Sequence, residues 1–305
     1  MNRIPVGRYP APVAPFSAKG DFMPDAFAEL LRYFLDNGAK GLLIAGDNAE
    51  AWSLSLDEIA EMTRLAMDAA QGKPVYVSAW AITERETIER ARAAADAGAY
   101  GLCVKPPFYV HSWADAPAAA IVRRFEVVAK AVPLPMMAYN SPNRTNVSIT
   151  PDVLESICGV AEVEALKDTN HDAGHQLENV LRFHDRMAVL VSGPAFMPAM
   201  LMGAGGTIGT GMDLFADADR MFAFADMTPA DRRALQRKIF DVSRVINTTG
   251  TIPAAYKAAF NMLGLPGGHL REPVPALTPA EEAAVRDLLV RYGAIDGAAA
   301  EGAAS

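Results

Sequence analysis

Eight short apolar runs, each of strand length, alternate with longer segments of helical periodicity, and this alternation constrains the fold more than any other feature of the chain. The runs are YPAPVAPF (9 to 16), KGLLIAG (40 to 46), PVYVSAW (74 to 80), YGLCVKP (100 to 106), LPMMAYN (134 to 140), VEALKDT (163 to 169), MAVLVSG (187 to 193) and TIGTGMD (207 to 213). Between them lie segments such as LDEIAEMTRLAMDAA (56 to 70) and ERETIERARAAADAG (84 to 98), where apolar residues recur every three or four positions among charged ones. Ser55 before Leu-Asp-Glu, and Thr150 before Pro151-Asp152, are helix openings, while Gly72 and Gly98 close helical stretches. Strands buried on both faces read as continuous apolar runs, and helices between them are the crossovers of a parallel sheet. Eight such units within roughly 220 residues predict a closed (β/α)8 TIM barrel, of class α/β, rather than an open doubly wound sheet. No GxGxxG follows the first run.

Beyond residue 228 the pattern is helical only: TPADRRALQRKIFDVSRVINTTG, then IPAAYKAAFNMLGLPG, then TPAEEAAVRDLLVRYGAI. The expected organisation is a catalytic barrel over 1–228, a small all-helical domain over 229–296 that is too thin to bury a core alone, and a flexible tail, GAAAEGAAS, over 297–305.

Composition narrows the function. With 51% hydrophobic residues the chain has material for a large core, and a net charge of −8 opposes binding to nucleic acid or to an anionic membrane surface. Two cysteines, Cys103 and Cys158, stand far apart and outside any CxxC spacing, so a disulfide framework or thiolate metal site is not indicated. No run approaches 18 apolar residues and the start of the chain lacks a signal-peptide pattern, which leads to the expectation of a cytoplasmic protein.

In a βα barrel, chemistry gathers where strands run into their following loops. The polar residues there are Gly46-Asp47-Asn48-Ala49-Glu50 after the second run, Pro106-Pro107-Phe108-Tyr109 after the fourth, Tyr139 to Arg144 at the fifth and Lys167-Asp168-Thr169 at the sixth. Tyr139 and Lys167 are one βα unit apart, so they are expected side by side in the barrel mouth. A lysine beside a tyrosine points to carbonyl chemistry: a neutral amine condenses with a ketone, and the cationic imine nitrogen draws electrons from a carbon two bonds away. An ordinary lysine, of pKa about 10.4, is less than about 0.1% neutral at pH 7, but burial lowers that pKa. The tyrosine hydroxyl then relays protons, and Arg144 offers a fork for a substrate carboxylate.

These residues resemble the dihydrodipicolinate synthase and N-acetylneuraminate lyase family of pyruvate-dependent class I aldolases. The resemblance runs through VAPF in the first strand, the G-x-x-x-E loop from Gly46 to Glu50, PPFY, YNSPNRT, LKDT, Ser192-Gly193 and IPAAYKAAFNMLG. It implies a barrel with a C-terminal helical domain, a homotetramer (or dimer), no metal or organic cofactor, and a small-molecule 2-oxo acid with an aldehyde or sugar-acid partner. By position, Lys167 resembles the family's Schiff-base lysine, Tyr139 its proton-transferring tyrosine and Tyr109 its second tyrosine. The backbone N–H groups of Asp47 and Asn48 are implied to hold a pyruvyl carboxylate, and Ile208 to line the three-carbon unit. Gly193 is a further implied substrate contact.

Two departures bear on the reaction. Asp47 replaces the hydroxyl that joins the two tyrosines in a relay, and a carboxylate there repels a bound carboxylate unless it turns away, is protonated, or meets a cationic substrate. Pro194-Ala195-Phe196 follows Gly193 where polar residues are common, which is expected to make the pocket wall less polar. The main reading is a Schiff-base lyase or aldolase acting on pyruvate or a related 2-oxo acid. Beside it stand 4-hydroxy-tetrahydrodipicolinate synthase proper and a dehydratase of a 2-keto-3-deoxy sugar acid. A non-catalytic 2-oxo-acid-binding barrel and a metal-dependent aldolase using Asp168, His171 and His175 are the further alternatives.

Overall fold

Six of the eight apolar runs, the second to the seventh, contain a strand, because their side chains are covered on both faces, inward by the barrel interior and outward by helices. The computed structural model describes residues 4–108, 117–209 and 211–296. Its strands are β1 (Gly7–Arg8), β2 (Leu42–Ile44), β3 (Val75–Ser78), β4 (Gly101–Val104), β5 (Met136–Asn140), β6 (Val163–Asp168), β7 (Ala188–Val191) and β8 (Gly206–Thr207). They form one parallel sheet in which neighbours in sequence pair from β2 to β8, and β8 returns to pair with β1. The last seam is closed by the N–H of Lys40 donating to the Arg8 carbonyl and that of Leu43 to the Pro10 carbonyl, each at 2.9 Å. The result is the (β/α)8 barrel that the alternation predicts.

The first and last strands are misplaced by the runs. YPAPVAPF carries Pro10, Pro12 and Pro15, which have no N–H for a ladder, so β1 precedes the run at Gly7–Arg8, with a further bond from Tyr9 N–H to Thr207 O, and β8 shares only Thr207 with the eighth run. In the eighth run, Gly209 (φ 71°) and Gly211 (φ 77°) turn the chain away directly after β8.

Helices α1 (Pro24–Asp36), α2 (Leu56–Ala70), α3 (Glu84–Asp96), α4 (Ala118–Ala131), α5 (a single turn, Pro142–Thr145), α6 (Pro151–Cys158), α7 (Ala173–Phe183) and α8 (Phe196–Leu201) follow the strands. Ser55 with Glu58, and Thr83 with Glu86, form reciprocal capping boxes that satisfy the free N–H groups at the starts of α2 and α3. Alternation along each strand sorts the core. Met136, Ala138 and Leu166 pack outward with the helices, whereas Met137, Tyr139 and Ala165 join Tyr9, Leu43, Cys103 and Ile208 inside the barrel. Lys167, two residues after Ala165, therefore enters the interior, and this period-two rule is what delivers its amine to the mouth.

Beyond the barrel come α9 (Pro229–Thr248), α10 (Ile252–Met262) and α11 (Pro279–Arg291). Thr228 caps α9 through the Asp231 N–H, and α9 and α10 lie over the loops that follow β7 and β2. Among the described residues, no helix is long and apolar enough to cross a membrane.

Candidate active site

The loop after β2 begins with a helical turn, Asp47–Ala49, bounded by two non-glycine residues in the left-handed region, Ala45 (φ 51°) and Glu50 (φ 54°). Such backbone costs on the order of 1 kcal/mol per residue and persists only where surroundings enforce it. Here Glu50 is wholly buried, receives Lys257 Nζ at 2.6 Å and the Arg271 N–H at 2.9 Å, and so ties the loop to α10 and the segment after it. The G-x-x-x-E and IPAAYKAAF motifs thus meet in space. As the first two residues of a turn, Asp47 and Asn48 have N–H groups without an intrahelical acceptor. The Asn48 side chain is spent on the Ala11 carbonyl at 2.9 Å.

Tyr139 and Lys167 pair directly in the β5–β6 register, and the Lys167 ammonium stands 4.1 Å from the centre of the Tyr139 ring. Lys167 makes no ion pair with a described residue and is 6% exposed. Burial, reinforced by the positive charges of Lys105 and Arg144 and opposed by Cys103 and Asp47, lowers its pKa to about 8. The Tyr139 hydroxyl donates to Asp47 Oδ2 at 3.1 Å, and burial together with that carboxylate holds the phenol well above its ordinary pKa, hence protonated.

Asp47 resolves its own difficulty differently from any of the expected ways. Its partner is Lys105, at the end of β4, whose Nζ donates to Asp47 Oδ1 at 2.7 Å; Arg144 Nε lies 3.7 Å from Oδ2. Burial pushes the Asp47 carboxyl up, but Lys105, Arg144 and Lys167 together overcome it and hold the pKa at about 2. The sequence reading passed over Lys105, though the signal was present: it ends the fourth apolar run as Lys167 ends the sixth.

A cavity of about 630 Å³ opens above these groups, lined by Asp47, Asn48, Tyr139, Arg144, Lys167 and Gly193 among others. Gly193 takes φ 63°, and a Cβ there would sit 3.2 Å from Ser243 Oγ on α9. Ile208 is buried in the interior cluster with Tyr139 and does not line the cavity. Tyr109 lies outside the described residues, as does the tail over 297–305. Pro194 and Ala195 form the apolar wall expected after Gly193, while Phe196 turns away to pack on Phe222 and Phe224. The lining also includes polar residues, Asn170, Gln176 and, from α9, Ser243, Arg244 and Asn247, so the cavity as a whole is less apolar than Pro194-Ala195-Phe196 suggests. Sequence reasoning did not anticipate that α9 supplies part of this lining, because nothing in its helical pattern says which loop it covers.

Of the trio Asp168, His171 and His175, Asp168 and His175 stay together, with His175 Nε2 3.7 Å from Asp168 Oδ2. Asp168 points outward from β6, where Asn140 and Asn179 donate to it at 3.1 and 2.7 Å, and His175 Nε2 lies 2.9 Å from Asn140 Nδ2. His171 is on the cavity wall. Among the described residues, no three His, Cys, Asp or Glu side chains come together as a metal-ligand group.

Residues 5–291 match the family described as the dihydrodipicolinate synthetase family. The 4-hydroxy-tetrahydrodipicolinate synthase of Acidothermus cellulolyticus is 32% identical over 298 residues, which cover 96% of this chain and 94% of that protein. Among solved structures, the dihydrodipicolinate synthase of Thermotoga maritima superposes with a TM-score of 0.86 at 23% identity, over 96% of this chain and 100% of the other. YagE of Escherichia coli K12, a family member solved in complex with pyruvate, gives a TM-score of 0.84 at 24% identity, over 95% and 99%.

Proposed function

This chain belongs to the dihydrodipicolinate synthetase family, and from that premise we propose that it is a Schiff-base lyase or aldolase in which Lys167 condenses with pyruvate or a related 2-oxo acid. The observation that carries the reading is a buried lysine amine, lowered to about 8, that faces a tyrosine and has no acid partner among the described residues. At pH 7 such an amine is neutral in about a tenth of molecules, against less than about 0.1% for an ordinary lysine. The neutral amine attacks the C2 carbonyl, water leaves from the carbinolamine, and the resulting iminium withdraws electrons from C3. Tyr139 carries protons to and from the carbinolamine and the reacting carbon during carbon–carbon bond formation or cleavage. The N–H groups of Asp47 and Asn48 take the pyruvyl carboxylate, Arg144 takes an anionic group on the second reactant, and Gly193 lines the site, with Ile208 in the interior cluster that contains Tyr139. Tyr109 belongs to the same reading. A cavity of about 630 Å³ leaves ample room beyond a three-carbon unit for an aldehyde or sugar-acid portion.

The reading takes 1–228 as the catalytic unit and 229–296 as a helical unit clasped to it through Lys257 and Glu50. It includes a cytoplasmic location, activity that survives EDTA, and a homotetramer or dimer. Exposed Trp52, Leu56 and Ile82 around a second cavity near Phe108 supply apolar surface for assembly. The direct test follows exchange of pyruvate methyl protons for deuterium by proton NMR. The wild-type protein is expected to catalyse exchange and Lys167→Ala is not; exchange of equal rate in both would reject the proposal. A screen of aldehydes and keto-deoxy acids then identifies the second reactant.

A further inference from the structure

Lys105 directly follows β4, as Lys167 lies next to the end of β6, and it is 4% exposed. Its ammonium lies 2.7 Å from Asp47 Oδ1 and 3.9 Å from the centre of the buried Trp80 ring. Both lysines approach Tyr139, Lys105 at 4.8 Å and Lys167 at 4.1 Å from the ring centre. The other Asp47 oxygen accepts the Tyr139 hydroxyl at 3.1 Å. Four side chains from the ends of β2, β4, β5 and β6 therefore form a continuous series: Lys105, Asp47, Tyr139, Lys167.

Resting on the reading of Lys167 as the reacting amine, we infer that Lys105 is a positioning residue that acts through Asp47. It fixes Asp47 as an anion whose second oxygen holds the Tyr139 hydroxyl, and it neutralises a charge that would otherwise keep Lys167 protonated. The groups that face the Lys167 amine are Asp47 from the β2 loop, Cys103 and Lys105 from β4, and Tyr139 and Arg144 from β5 and its loop. Cys103 is a neutral thiol, since burial pushes it up to about 11, and Tyr139 is protonated. Of the two other cations, Arg144 is 39% exposed and 3.7 Å from Asp47, so solvent screens it. Lys105 alone is both buried and in hydrogen-bond contact. Without it, the buried Asp47 carboxylate would have Lys167 as its nearest enclosed cation, and an ammonium held in that pair cannot attack a carbonyl. With it, Asp47 stays an anion that accepts the Tyr139 hydroxyl proton and fixes the orientation of the phenol.

The test reads the ionisation of Lys167 without any substrate. Trace labelling with acetic anhydride across pH 6 to 11, quantified on the Lys167 peptide by mass spectrometry, gives the midpoint for its amine. The wild-type midpoint is expected near 8. Lys105→Met should raise it by about one unit or more, because Asp47 is left facing Lys167. Asp47→Asn should lower it, because the Lys105 cation is left unbalanced. Lys105→Arg and the double variant Asp47→Asn/Lys105→Met should both return close to wild type. A Lys105→Met midpoint equal to wild type overturns the inference. Should that variant fail to fold by circular dichroism, an unchanged midpoint in Asp47→Asn overturns it equally. Absence of a pyruvate adduct would reject the Schiff-base reading while leaving this charge coupling measurable, so the two failures are distinguishable.

Discussion

Two buried lysines, Lys167 in the barrel mouth and Lys257 on α10, share almost every property that draws attention to a lysine, yet the structure gives them opposite work. They are 6% and 2% exposed, and burial lowers both amines to about 8. Lys257 donates to Glu50 Oε1 and to the His269 carbonyl, each at 2.6 Å, and lies 4.3 Å from the Phe16 ring centre. Its hydrogen-bonding capacity is used, so it clasps the helices to the β2 loop. Lys167 has a ring face and, among the described residues, no acid partner. Burial therefore does not distinguish a reactive lysine from a structural one. What distinguishes them is whether the neighbouring acid is already taken, as Asp47 is by Lys105.

Substitution should separate the two lysines by kind of damage. Lys167→Met is expected to lower turnover by about 10⁴-fold or more in steady-state assays, since no other group replaces the nucleophile. The same change should stabilise the fold by about 1 kcal/mol, because it replaces an unpaired buried cation with an apolar chain of similar size. Lys257→Met should do the reverse in urea titrations: it strands the Glu50 carboxylate and costs about 3–5 kcal/mol. A stability loss of equal size in both variants would break the comparison.

Smaller effects refine it. Tyr139→Phe removes the proton carrier and leaves Asp47 with Lys105, so turnover should fall about 10²-fold while an adduct on Lys167 still forms. Turnover should rise with pH on a limb centred near 8, as Lys167 loses its proton. Stability has its own pH dependence. The folded pKa of Asp47, about 2, lies below its ordinary value of 3.8, so its contribution is fully present above 3.8 and is lost as pH falls through about 2. Asp47→Asn should shrink the stability change over that acid window in thermal melts.

Much of this was legible in the chain itself. Continuous apolar runs located β2 to β7 because both faces of each are covered, and the spacing of one βα unit placed Tyr139 and Lys167 together. The ends of β1 and β8 were less legible because prolines and left-handed glycines limit pairing, which apolar content does not record. Lys105 was missed because its meaning depends on Asp47, 58 residues away. The same holds for the α9 wall and for the bond between Glu50 and Lys257, 207 residues apart. Pairings across such separations follow from how loops cover the barrel, and no local pattern specifies them.

The claim that an unpaired amine marks the reactive lysine is tested most directly by reducing the protein with borohydride in the presence of pyruvate, then mapping the adduct by peptide mass analysis. The account predicts a 1-carboxyethyl addition on Lys167, absent from Lys105 and Lys257. An adduct on either of those lysines in preference to Lys167, or none at all, would contradict it.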